Sequence, residues 1–266
     1  MPTRDTNWPA GTPNWVDCCF DDVKKAGDFY AKLFGWDVQE GPAEMGGYAL
    51  CFKHGRSAAA ITPRMAPEVP TAWSTFFASD DVDATAEAVR AAGGSVIAEP
   101  MDVAGAGRMA FFTDAEGAAF GAWQGGEHHG FGIFNESGSV GWNDLMTRDL
   151  EGAKAFYGKV FGYSYDEIGA DYVTCKRASD GEVVAGIHLA GHLPDEVPAN
   201  WLTHFVVADR DSSVAIVEEL DGEVLMSFDT PFGPEATIRG PEGEVFNVIS
   251  YTAEAEEEAE HDRDAE

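Results

Sequence analysis

The chain has 266 residues, 44% of them apolar and 12% aromatic, enough for one large or two medium hydrophobic cores. Its formal charge is −30, from 47 acidic and 17 basic side chains, so its surface repels nucleic-acid backbones and anionic membranes. No apolar run approaches the roughly 18 residues that span a bilayer, and the polar start Met1-Pro2-Thr3-Arg4-Asp5 lacks the pattern of a signal peptide, so a cytoplasmic location is expected.

In chain order, residues 14–20 read as a first strand, with Asp22 placed to cap the helix that follows. Ala26, Phe29, Tyr30 and Leu33 form that helix's apolar stripe, and Gly35 ends it. Strands are expected at 36–40, 46–53, 57–62 and 72–78, then a helix at 81–92 stopped by Gly93-Gly94. Strands near 95–98, 108–113 and 118–123 complete a unit that reads as βαβββ written twice. Such an order implies mixed sheets with helices outside and one face free to curl around a cavity.

The unit then recurs. Trp15, Asp22, Phe29 and Gly35 reappear 127 residues later as Trp142, Asp149, Phe156 and Gly162. Trp73, Asp81 and Asp83 reappear after 128 residues as Trp201, Asp209 and Asp211, and Gly117 and Phe120 after 126 as Gly243 and Phe246. The expected division is a domain at 10–131, a second at 137–251 and an acidic, disordered tail at 252–266, whose last 13 residues hold eight acids and one arginine. Cys18, Cys19, Cys51 and Cys175 lie in strands without ligand-like spacing and read as reduced, mostly buried thiols. His128-His129 falls in the linker and reads as exposed.

The stretches Trp15-Val16-Asp17, Phe29-Tyr30, Leu33-Phe34-Gly35-Trp36, Asp80-Asp81-Val82-Asp83 and Asp114-Ala115-Glu116-Gly117 resemble the vicinal oxygen chelate superfamily, which includes glyoxalase I, bleomycin-resistance proteins and extradiol dioxygenases. The resemblance covers about residues 10–250 and implies an α+β fold of tandem domains. Each would pair two βαβββ modules into a curved mixed sheet around a cup, called here cup 1 and cup 2. Metal-dependent members hold a divalent ion in such a cup. Carried over residue by residue, the ligand positions fall on Trp15, Ser74 and Gly121 in cup 1 and on Trp142, Leu202 and Asn247 in cup 2. Neither set has the donors for Zn, Fe or Mn, so no metal and no other cofactor is expected.

Strand parity puts Trp15, Asp17, Cys19, Ser74 and Phe76 on the cup 1 face, and Trp142, Asp144, Met146, Leu202, His204 and Asn247 on that of cup 2. His188 lies in the second half near the place of Thr62 in the first, with His192 close by. Asp144 and His204 are the candidates for proton transfer, as a carboxylate–imidazole pair; with His188 they also form a candidate displaced metal set. Three functions stay open. One is metal-independent binding or sequestration of a small hydrophobic or aromatic compound. Another is a hydroxylase-like, dioxygenase-like or lyase-like enzyme of secondary metabolism. The third is a structural or protein-interaction role, and a homodimer is among the expected assemblies.

Overall fold

The computed structural model describes residues 2–41, 46–191, 193–194 and 197–252. The expected tail therefore lies outside the described residues, except for Thr252, whose N–H donates to Phe232 O.

The first half runs Pro13–Phe20 (β1), Val23–Phe34 (α1), Asp37–Glu40 (β2), Ala49–Lys53 (β3), Arg56–Pro63 (β4), Trp73–Ala78 (β5), Val82–Ala92 (α2), Ser95–Val103 (β6), Gly107–Thr113 (β7) and Ala119–Gly125 (β8). The second half repeats it as Val140–Thr147 (β9), Leu150–Phe161 (α3), Ser164–Glu167 (β10), Tyr172–Lys176 (β11), Val183–Leu189 (β12), Asn200–Val206 (β13), Arg210–Glu219 (α4), Glu223–Thr230 (β14), Gly233–Arg239 (β15) and Val245–Ile249 (β16). Asp22, Asp81, Asp149 and Asp209 each accept a backbone N–H three residues on, as their positions before the helices require. Gly35 and Gly162 end α1 and α3 in the left-handed region, at φ 70° and 72°. Strand β6 outruns its expected length, and its pairing with β7 slips between Ala98 and Met101. Pro100, which has no N–H to pair, sits in that slip on an edge strand.

Each half forms one eight-stranded sheet, ordered β2-β3-β4-β1-β5-β8-β7-β6 and β10-β11-β12-β9-β13-β16-β15-β14. Modules pair within a half, β1 antiparallel to β5 and β9 to β13, so each cup is made by one half alone. The helix-bearing faces of the two sheets share their cores. Phe34 meets Phe205 at 4.7 Å between ring centroids, and Phe77 meets Trp201 at 4.9 Å. Between the sheets, Thr75 and Thr203 hydroxyls both donate to Asn143 Oδ1. The cup faces, carrying the alternate residues, point away from this shared core.

Several repeated residues belong to that core. Trp73 Nε1 donates to Tyr30 OH, which donates to Glu244 Oε1 at 2.8 Å; Trp201, Tyr157 and Asp114 repeat the chain from the other side. The two acids are not at equivalent positions. Asp114 corresponds to Gly240, whose missing Cβ would stand 2.0 Å from Glu244 Oε1. The glutamate, four residues later, thus fills the space that the aspartate fills in the first half. Three cysteines are buried, and Cys19 is half-buried on the cup 1 face; all four are free thiols.

Candidate functional site

In cup 1, strand β1 turns Val16, Cys18 and Phe20 onto α1 and presents Trp15, Asp17 and Cys19 to the cup. Trp15 Nε1 donates to Tyr48 OH at 2.8 Å, and Tyr48 OH donates to Asp17 Oδ2 at 3.4 Å. Burial pushes the Asp17 carboxyl up to about 7, and the Tyr48 hydroxyl offsets only part of that. Phe76 lies over Gly121, where an added Cβ would stand 2.0 Å from its Cδ1, and beside Phe111 at 5.7 Å.

The linker departs from expectation. His128 is not an exposed histidine: its ring meets Trp15 edge-on at 4.4 Å, and Phe131 reaches the same indole at 5.7 Å. The linker backbone is tied down, Phe131 N–H donating to Asn14 O and Gly132 N–H to Ser57 O. Burial holds the His128 imidazole down to about 4. Trp15 and Phe76 are left 3% and 4% exposed, so the indole and phenyl expected to meet a ligand are covered by the protein's own aromatic groups. Ser74, opposite Asp17, remains half-buried.

Cup 2 keeps the Trp–Tyr–Asp triangle and changes what faces it. Asp144 Oδ1 accepts from Trp142 Nε1 and from Tyr172 OH, each at 2.9 Å. The closer tyrosine contact has a local cause. Opposite Asp144 on β12 stands Gly186, where a Cβ would lie 2.0 Å from Asp144 Oδ1 and 2.2 Å from Tyr172 OH. Opposite Asp17 stands Ala60, whose methyl occupies that space, and the corresponding tyrosine contact lengthens to 3.4 Å.

His204 holds the place of Phe76, paired with Trp142 across β9 and with Asn247 across β16. Its Nε2 stands 3.2 Å from Asp144 Oδ2 and its Nδ1 3.3 Å from Glu235 Oε2. The Nε2 approach is an ion pair without hydrogen-bond alignment. Burial disfavours a charged ring here, but the two carboxylates outweigh it and lift the imidazole to about 9. The ring of the expected carboxylate–imidazole pair is therefore an imidazolium near pH 7. Burial also works against the Asp144 anion, yet His204, Tyr172 and Trp142 hold its carboxyl below the usual range. Asn247 Nδ2 donates to Glu235 Oε2 at 3.3 Å.

The structure thus brings Asp144 and His204 together and adds Tyr172 and Glu235, which the sequence reading missed. Tyr48 and Tyr172 lie 124 residues apart, each followed at the third position by cysteine, a repeat that could have found them. Glu235 corresponds to Met109, which pairs with Trp123 as Glu235 pairs with Ile249. Trp142, Met146, Leu202 and Phe228 stay half-buried on the cup face. His188 pairs with Met146 on the same face, its ring 6.0 Å from Tyr172; His192 lies outside the described residues. Arg108, near Glu235 in the repeat, is a surface residue binding Asp83 and Asp102.

A metal does not fit these residues. Indole, isobutyl and carboxamide groups stand at the family's ligand positions, and both nitrogens of His204 face carboxylates rather than converging with them on one point. Among the described residues no group of three or more His, Cys, Asp or Glu side chains is arranged to hold an ion, so Asp144, His188 and His204 do not form the displaced set.

Comparison with known proteins bears on the family and the fold. The profile of the glyoxalase/bleomycin resistance protein/dioxygenase superfamily matches residues 12–121. The protein named "Putative glyoxylase CFP32" of Mycobacterium tuberculosis is 38% identical over 260 residues, covering 94% of this chain and 98% of its own. The anthracycline biosynthesis protein DnrV of Streptomyces peucetius is 37% identical over 262 residues, covering 92% and 94%. Among solved structures, the Mn(II)-bound glyoxalase from Novosphingobium aromaticivorans superposes with a TM-score of 0.63 at 17% identity, covering 91% of this chain and 83% of its own, a likeness of fold.

Proposed function

Because the chain belongs to the glyoxalase/bleomycin resistance protein/dioxygenase superfamily, we propose that it uses the family's cup, without a metal, to bind a small aromatic or hydrophobic compound in cup 2. The observation that carries this reading is the saturation of Asp144. One oxygen takes Trp142 and Tyr172, the other faces protonated His204, and a carboxylate so held is a poor base. The same contacts keep His204 from accepting a proton near pH 7. What the cup offers instead is a half-exposed apolar and aromatic wall of Trp142, Met146, Leu202 and Phe228 around one fixed polar cluster, the usual make-up of a small-molecule pocket. Cup 1 supports the contrast, since its own linker and phenyl groups cover the corresponding surfaces.

The test is calorimetric titration of chelator-treated protein with 2-naphthol, in wild type and in Leu202→Ala, which strips apolar surface from the wall beside Asp144 and adds no charge to the cluster. Saturable binding that weakens at least about tenfold in the variant is expected. Binding that appears only after adding Fe(II), Mn(II) or Zn(II), or that ignores the variant, would overturn the reading.

A further inference from the structure

Cup 2 holds an acceptor to which none of the described residues donates. Asn247 is 3% exposed and stands on the cup face of β16, its neighbours Phe246 and Val248 turned into the shared core. Its Oδ1 is buried and makes no hydrogen bond. Glu235 fixes which end of the amide is left over. Nδ2 donates to Glu235 Oε2, and the flipped amide would set Oδ1 against that carboxylate. The amide nitrogen also lies 3.5 Å from His204 Nδ1, so a flipped Oδ1 would stand only at the outer limit of hydrogen-bond reach from a ring nitrogen that is 3.3 Å from Glu235 Oε2.

A buried carbonyl oxygen without a donor is a standing cost that a ligand's O–H or N–H would recover. Charge narrows the choice further. Two carboxylates, Asp144 and Glu235, flank a single imidazolium, so an incoming anion meets a surplus of negative charge in a poorly screened place. An ether oxygen has nothing to give Asn247, and a carboxylate would add repulsion. The first half carries none of this chemistry, since Gly121 and Met109 stand where Asn247 and Glu235 do.

We propose that cup 2 selects its ligand by a hydrogen-bond donor on an aromatic body, a neutral hydroxyl or a protonated amine docked on Asn247 Oδ1, and rejects carboxylated counterparts. This rests on the binding role of cup 2 argued above. The donor requirement replaces metal chelation as the polar part of recognition, at the strand position where metal-dependent relatives are expected to carry a carboxylate ligand.

The experiment is a calorimetric series at pH 7.5 on the full chain with four probes of one body: 2-naphthol, 2-(aminomethyl)naphthalene, 2-methoxynaphthalene and 2-naphthoate. The first two should bind about tenfold or more tighter than the methyl ether, with the carboxylate weakest. The naphthol and the amine arms separate a hydroxyl from an ammonium as the preferred donor. In Asn247→Leu the gap between naphthol and its ether should close while the ether's own affinity holds. The wild-type ranking needs no variant, so a poorly folding variant leaves the test intact. Equal affinity for naphthol and ether, or tight binding of naphthoate, overturns the donor rule while leaving cup 2 a binding site. No binding by any probe overturns the binding role and the donor rule together.

Discussion

Replacing His204 by phenylalanine gives cup 2 one part of the cup 1 arrangement without the rest. Cup 1 accepts Phe76 because Gly121 lies beneath it; cup 2 has Asn247 there. An aromatic residue in the other cup does not make the change mild, since Asn247 occupies the space that Gly121 leaves open. A second fault is electrostatic. Asp144 and Glu235, with side chains 14% and 8% exposed, lose the cation between them. Removing one partner of a buried ion pair costs about 3–5 kcal/mol, so His204→Phe should destabilise the chain by about that much. The triple change His204→Phe, Glu235→Met, Asn247→Gly writes the cup 1 residues into these three positions of cup 2 and removes both the clash and one carboxylate. It should recover about half of the loss or more. Urea unfolding followed by far-UV circular dichroism gives the numbers by linear extrapolation. The pH dependence gives a second reading of the same group. Its folded value, about 9, lies above the ordinary 6.5, so its contribution is complete below about pH 6.5 and is lost as pH rises through 9. Wild-type stability should fall across that window, and the His204→Phe curve should be flatter there. A single variant within about 0.5 kcal/mol of wild type, with an unchanged pH slope, would refute the ion-pair account.

Three other outcomes follow from the same geometry. Asp17→Asn should stabilise the chain, by an amount that grows from pH 4 and levels off above about 7, because burial raises that carboxyl from 3.8 and its ionisation opposes folding; urea unfolding at pH 4.5 and 8 checks the sign. Gly186→Ala should force Asp144 and Tyr172 apart, costing on the order of 1–3 kcal/mol by overpacking and weakening 2-naphthol binding; a crystal structure showing the 2.9 Å contact intact would contradict it. Deleting residues 253–266 should move the thermal midpoint by no more than about 2 °C, since that acidic run offers almost no apolar surface to bury.

Much of the fold is legible because the chain states it twice. The 127-residue offset of Trp15, Asp22, Phe29 and Gly35 marks the same strand, cap, stripe and stop in each half, and local rules suffice to read them. The site is less legible because its residues meet through register. Parity alone places Asp144 and His204 on one face, and the structure puts them 3.2 Å apart. No local pattern in the sequence marks Glu235. Only the pairing of β15 with β16 shows that it is the gain of an acid inside the cup. Tyr172 depends on a short edge hairpin whose facing cannot be fixed from composition. His128 depends on the path of the linker, set by backbone bonds to Asn14 and Ser57 that no local pattern announces. The motif tyrosines Tyr30 and Tyr157, prominent in the repeat, are core residues tying the halves together.

The central claim is that cup 2, and not a metal, makes the binding site. It is tested most directly by titrating 2-naphthol into chelator-treated, isotope-labelled protein and following side-chain and amide resonances by NMR. The account predicts saturable shifts at Trp142, Met146, Leu202, His204 and Asn247, with Trp15 and Phe76 unmoved. Shifts centred on Trp15 and Phe76, or shifts at cup 2 that require added Fe(II), Mn(II) or Zn(II), would contradict it.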